Sequence, residues 1–176
     1  MRSKNSTTLI DWSSCVKSEA DVNEEIARSD IPGEPLSAEE FYQAEFLTES
    51  MDEFQEDPTD MGCLFEGDMD FSINDQQRRK GIFRNAIADS RKKWPDATIP
   101  YLISSFFSQH DRKVIAKAMG RYHKKTCIRF IGRTSEKAYI HIITGDKCSS
   151  KVGSTGRMQT VKLGPGCVRT GKASFT

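Results

Sequence analysis

The sequence has no run of eighteen or more apolar residues, which excludes a hydrophobic helix of membrane-spanning length. It shows no export leader: Met1-Arg2-Ser3-Lys4-Asn5 is basic, but Ser6 to Val16 holds no continuous apolar stretch. Its three histidines, His110, His123 and His141, are never three or four residues apart, so they build no helical pair of metal ligands. Residues 34–70 lack lysine and arginine and carry thirteen Asp or Glu, whereas residues 71–176 carry 22 basic side chains against 6 acidic ones. A net charge of +1 thus hides two halves of opposite sign. Such a division fits a nucleic-acid binder with an acidic mimic tail, or a chain that docks on itself. Docking accounts for both halves at once, aromatics are few and no RNA or DNA motif is present, so neither nucleic acid nor membrane is expected as a partner. The five cysteines, Cys15, Cys63, Cys127, Cys148 and Cys167, are thiols in a reducing compartment and leave one unpaired in an oxidising one.

What is present falls into an order along the chain. Residues 1–33 are polar and aperiodic up to Ile31-Pro32-Gly33 and read as a disordered arm. Ser37-Ala38-Glu39-Glu40 has capping-box spacing, and Phe41, Ala44, Leu47 or Thr48, Met51 and Phe54 recur at helical intervals, which predicts a helix over about 37–55, stopped by Pro58. Trp94-Pro95-Asp96-Ala97-Thr98-Ile99-Pro100-Tyr101 opens a strand that Pro100 assigns to an edge or a strand start. Ser108 to Asp111 is a second capping box, followed by Ile115, Ala118, Met119 and Tyr122 on one helical face, with Lys124 and Lys125 at the end of the helix dipole. Beyond it, β-branched and aromatic residues alternate through Cys127 to Ile131, Tyr139 to Ile143 and Gln159 to Leu163, predicting three or four short strands. His141 alternates with Tyr139 and Ile143 and reads as a strand-face residue rather than a ligand.

The stretches Lys125-Thr126-Cys127-Ile128-Arg129-Phe130, Cys148 with Val152-Gly153, Gln159 to Leu163 and Gly166-Cys167-Val168 together resemble the N-terminal half of an astacin-family catalytic domain. That family comprises secreted zinc metalloendopeptidases of the metzincin type. The resemblance implies an α+β fold: a small, twisted, mostly parallel-type sheet with one crossing helix, preceded by an extended pro-segment with one helix. It divides the chain into a pro-segment over 34–84, the N-terminal part of a peptidase domain over 85–171 and a divergent tail at 172–176. Phe65-Glu66-Gly67-Asp68 is similar to the family's Phe-x-Gly-Asp, which implies that Asp68 is the carboxylate that occupies the catalytic zinc and displaces the attacking water. Arg84 followed by Asn85 resembles the junction with the mature enzyme, with cleavage by a trypsin-like protease. Cys148 and Cys167 match the family's short-range disulfide, and Cys127 one half of a long-range disulfide whose partner is missing, leaving a free buried thiol or a stray pairing with Cys15 or Cys63. Cys148-Ser149-Ser150-Lys151 falls on the edge strand that lines the substrate cleft and pairs with extended peptide.

In the family, a Gly and then the first zinc histidine and the general-base Glu follow Val168. Here Gly171 fits, but Phe175 and Thr176 stand at those two places, and neither side chain can ligate zinc or act as a base at neutral pH. The expectation is therefore double. A complete relative is a zinc endopeptidase acting on protein or peptide substrates and secreted, although no signal peptide is visible. These 176 residues read as truncated before the zinc-binding motif, with no catalytic residue, no bound zinc and no hydrolysis. The alternatives are a non-catalytic fragment that binds or inhibits a related protease through its pro-segment, and a basic binding module.

Overall fold

The computed structural model describes residues 29–47, 69–70 and 89–168. The elements are β1 (Pro32–Gly33), α1 (Ala38–Glu45), β2 (Met69–Asp70), β3 (Thr98–Ser104), α2 (Gln109–Lys125), β4 (Arg129–Gly132), β5 (Tyr139–Thr144), β6 (Ser149–Lys151) and β7 (Met158–Leu163), with 3₁₀ turns at Ser90–Lys92 and Pro95–Ala97.

Helix α2 starts at the second capping box. Ser108 Oγ accepts from the Asp111 N–H at 3.1 Å, and the Asp111 carboxylate accepts from the Ser108 N–H at 3.3 Å, so two of the orphan donors at this end are satisfied. At the other end Thr126 closes the helix, its N–H and its hydroxyl both donating to the Tyr122 carbonyl, at 2.9 and 2.8 Å. Val114, Ile115, Ala116, Ala118 and Met119 are buried, and most of them meet Tyr101, Ile103, Phe130, Ile140, Ile142, Val161 and Leu163 from the sheet in one core. Each fully buried side chain the size of Val, Ile or Met contributes about 1.5–3 kcal/mol, so this layer is a substantial source of stability.

The described strands form one mixed sheet in the order β1-β3-β5-β7-β6-β2, with β4 also beside β3. The β3–β4, β3–β5, β5–β7 and β2–β6 ladders are parallel, and β1–β3 and β6–β7 are antiparallel. The chain is thus α+β with a mostly parallel-type sheet crossed by α2. Alternation on β5 sends Ile140 and Ile142 to the α2 core and leaves His141 and Ile143 on the other face.

Two sequence expectations change and one is refined. Pro100 is the third residue of β3, paired with Ile131 of β4 on one side and ahead of the β5 ladder on the other. The strand tolerates a residue without an N–H because the β5 ladder starts at Tyr101, one residue later. Helix α1 closes at Glu45, well short of residue 55. Phe46 and Leu47 donate to the Gln43 and Ala44 carbonyls in a tightened last turn, and the Lys117 ammonium takes the Leu47 carbonyl, turning the chain off the helix axis. Finally, within the arm expected to be disordered over 1–33, residues 29–33 are ordered: Pro32 and Gly33 pair with Ser104 and Ile103 on the stretch of β3 that lies beyond the end of β4.

Candidate functional site

The edge strand expected at Ser149 to Lys151 is β6. Its inner side pairs antiparallel with β7, Ser149 opposite Lys162 and Ser150 opposite Val161. Its outer side is occupied by β2, running parallel, Met69 opposite Ser150 and Asp70 opposite Lys151. The start of β6 is fixed by a disulfide between Cys148 and Cys167, whose Cα atoms are 5.9 Å apart and whose sequence separation is 19. Its end is fixed by Gln159, a buried side chain on β7. Gln159 Oε1 accepts from the Thr155 N–H at 3.0 Å, and its Nε2 donates to the carbonyls of Gly153 at 2.9 Å and Lys151 at 3.4 Å. One amide therefore organises the whole β6–β7 connection. In the sequence Gln159 is only the first residue of an alternating stretch. Its parity with Val161 and Leu163, both buried, is the signal that it points inward.

A second surface lies where residues 34–47 pack across α2. Arg112 holds them: its Nε is 2.6 Å from Glu40 Oε1, and Nη2 donates to Glu40 Oε2 at 3.2 Å and to the carbonyls of Glu34 and Pro35 at 3.0 and 3.4 Å. Burial opposes ionisation of Glu40, but the Arg112 guanidinium and the Ser37 amide outweigh it and keep the carboxyl below its usual range. Lys124 reaches Glu45 at 2.6 Å in an exposed pair. Tyr101, in the sequence only part of a strand motif, has a buried hydroxyl that accepts the Leu36 N–H at 3.0 Å. Burial pushes its phenol upward, so it stays neutral. Arg112 and Tyr101 carry no local sequence signal for these roles.

The histidines do not converge. His123 Nε2 accepts the Phe130 N–H at 2.9 Å, with Phe41 stacked on its ring at 5.9 Å. His141 faces Asp30 from the opposite face of the sheet, its Nε2 3.0 Å from Oδ2. Burial lowers the pKa of both; Arg129 adds to the effect on His123, and Asp30 partly offsets it on His141. Among the described residues no three His, Cys, Asp or Glu side chains are grouped to hold a metal, so this donor set does not fit a zinc ion. Cys127 is a free thiol and is exposed, not buried as expected, because it lies between the end of α2 and the start of β4. Asp68, Arg84, Asn85, Cys15, Cys63, Phe175 and Thr176 lie outside the described residues.

Comparison with known proteins adds an independent line. The family model Astacin, a peptidase family, matches residues 86–175. Similar proteins include the zinc metalloproteinase nas-7 of Caenorhabditis elegans, 46% identical over 86 residues covering 48% of this chain and 22% of that protein. The zinc metalloproteinase nas-4 of the same organism is 38% identical over 121 residues, covering 66% of this chain and 38% of that protein. The chain thus spans well under half the length of these relatives. Among solved structures, high choriolytic enzyme 1, a hatching-enzyme zinc protease of the medaka Oryzias latipes, is 36% identical with a TM-score of 0.41, covering 46% of this chain and 42% of that one. With strands β3 to β7, its α2 helix and more than half of its length inside the match, the chain belongs to the astacin family.

Proposed function

We propose that this region is the pro-segment and the N-terminal part of the catalytic domain of a secreted zinc metalloendopeptidase, with residues up to Arg84 acting as its inhibitor. The observation that carries the reading is the β2–β6 ladder. Met69 and Asp70, which directly follow Asp68, occupy the outer edge of the strand that the family resemblance puts along the substrate cleft. An edge strand has one free row of N–H and C=O groups, so a segment already paired there excludes an extended substrate from the same row. The Arg112 contacts to residues 34–40 support the same reading, since they dock the acidic half on the basic half without using the cleft.

Within this reading the chain's own residues bind and position. Gln159 and the Cys148–Cys167 disulfide hold β6 in register and the Ser149–Lys151 backbone offers the hydrogen bonds; Asp68 would be the residue to offer a carboxylate to a metal held by a complete domain. The zinc, when held by such a domain, supplies the activated water; residues 1–176 by themselves carry no hydrolysis. Cleavage after Arg84 by a trypsin-like protease severs the segment that occupies this edge from the peptidase domain, and the edge opens once that segment leaves. The test is Asp68→Ala in the complete gene product. Peptidase activity before processing at Arg84 is the expected result, and a precursor that stays silent with Asp68 removed refutes the part assigned to Asp68. The 176-residue chain should show no zinc-dependent peptidase activity in the same assay; activity there would refute the division of labour.

A further inference from the structure

Residues 29–33 enter the fold through a buried polar cluster remote from β6. The side chains of Asp30 and His141 are 5% and 4% exposed; Asp30 Oδ2 and His141 Nε2 face each other at 3.0 Å, and among the described residues neither atom makes a hydrogen bond. The second carboxylate oxygen, Oδ1, accepts from Ser104 Oγ at 2.6 Å. Ser104 is fully buried, and its Oγ accepts the Phe106 N–H at 3.1 Å, which leaves the hydroxyl proton aimed at the carboxylate. The backbone continues the contact: the Ser105 N–H donates to the Ile31 carbonyl at 2.9 Å, and Pro32 and Gly33 pair with Ser104 and Ile103.

Both oxygens of one carboxylate are thus met by side chains of two neighbouring strands, β3 and β5. A buried carboxylate persists only when it is hydrogen-bonded or paired, so this arrangement favours an acid at residue 30 over a neutral side chain. The strand order puts it at the opposite side of the sheet from β6, about 14 Å across three ladder spacings. It is therefore separate from the cleft contact made by β2.

We propose that Ser104 and His141 form a carboxylate socket whose ligand is an aspartate preceding an extended strand, Asp30 of this chain, and that the socket anchors the N-terminal segment independently of β6. The inference rests on the pro-segment reading in one respect: on that reading a cut between Arg84 and Asn85 severs the chain while the socket stays filled. The severed segment then remains on the peptidase sheet, and release becomes a step distinct from cleavage.

The test uses the 176-residue chain with residues 80–84 replaced by the recognition sequence of a site-specific protease. After cutting, gel filtration at micromolar concentration reads whether fragment 1–84 stays with the remainder. The parent should co-elute as one monomer-sized complex, Asp30→Ala should raise the dissociation constant at least tenfold, and Asp30→Asn, which keeps the volume and loses the charge, should fall between. Since Asp30 lies on the released fragment, Ser104, His141 and strands β3 to β7 keep their sequence in both variants. In the uncut chain Asp30→Ala should speed amide exchange at Ser105 at least tenfold and leave the Phe41 amide of α1 unchanged. A parent that separates on cutting, one that stays together only as a dimer, or Asp30 variants that hold as tightly as the parent would each overturn the socket. Because the cut is engineered, absence of natural cleavage at Arg84 would refute the processing step and leave the socket result standing.

Discussion

Replacing Arg112 by methionine gives the sharpest measure of how residues 34–47 are held. The side chains of Arg112 and Glu40 are 16% and 15% exposed, between the fully exposed pairs that contribute about 0–1 kcal/mol and the buried ones whose disruption costs about 3–5. Methionine keeps the aliphatic stem and removes four contacts, two to the Glu40 carboxylate and two to the carbonyls of Glu34 and Pro35. Glu40 retains the Ser37 N–H at 2.7 Å, so its charge is not wholly abandoned. The net loss is about 3 kcal/mol, or roughly a hundredfold in the equilibrium for opening α1. Amide hydrogen exchange reads it directly. The Phe41 N–H, bonded to Ser37 O at 3.1 Å, should exchange roughly a hundredfold faster, while amides of β5 and β7 keep their rates. Adding Glu40→Gln should then cost little more, because the coupling is already gone. If Phe41 exchanges within threefold of the parent, Arg112 does not hold the segment. If β5 accelerates equally, the effect is global unfolding and the docking argument fails.

Three further outcomes follow from the same contacts. Tyr101→Phe leaves the buried Leu36 N–H without its acceptor and should weaken docking of residues 34–47 by about 1–3 kcal/mol, measured by the same exchange experiment, with no change of fold. Removing the Cys148–Cys167 disulfide as a double serine variant should lower unfolding stability by about 3 kcal/mol in urea titration, the value for a closed loop of this length. For pH, the folded state holds His141 and His123 below their unfolded value of 6.5, so the unfolded chain binds protons that the folded chain refuses. Stability should be flat in this respect above 6.5 and fall as pH drops through 6.5 toward the lowered folded values, by at most about 1.4 kcal/mol per pH unit for His141. His141→Gln should flatten part of that slope, and an unchanged slope would mean that the imidazole titrates alike in the folded and unfolded chain.

Local chemistry was legible in the sequence and long-range closure was not. Both capping boxes, Ser37 with Glu40 and Ser108 with Asp111, can be read because a span of three residues contains the whole interaction. The alternating stretches at 139–143 and 159–163 become β5 and β7 because a half-buried strand imprints its period on its own residues. The end of α1 could not be read, since the group that turns Leu47 away is Lys117, 70 residues distant. The same holds for residues 29–33: two residues are too few to show a period, and their pairing exists only because β4 stops at Gly132 and leaves the rest of β3 open. Asp30 therefore looks like any polar residue of an aperiodic arm, and Tyr101 like any aromatic of a strand, until the sheet brings them to their partners.

The division of charge along the chain takes its physical meaning from these contacts. A basic half could wait for an anionic partner, but on α2 three of its cations are already engaged from within: Arg112 by Glu40, Lys117 by the Leu47 carbonyl and Lys124 by Glu45. The contributions are unequal. Lys124 and Glu45 are 66% and 57% exposed, so their attraction is screened over a Debye length of about 8 Å at physiological salt and adds mainly to the rate of docking. Arg112, withdrawn from water and bonded to two main-chain carbonyls besides its carboxylate, sets the register in which the acidic segment lies. The excess of like charge in each half brings them together, and a few buried groups at defined positions decide where they stop. That arrangement suits a segment held in one defined register: diffuse charge alone would slide, and buried contacts alone would find each other slowly.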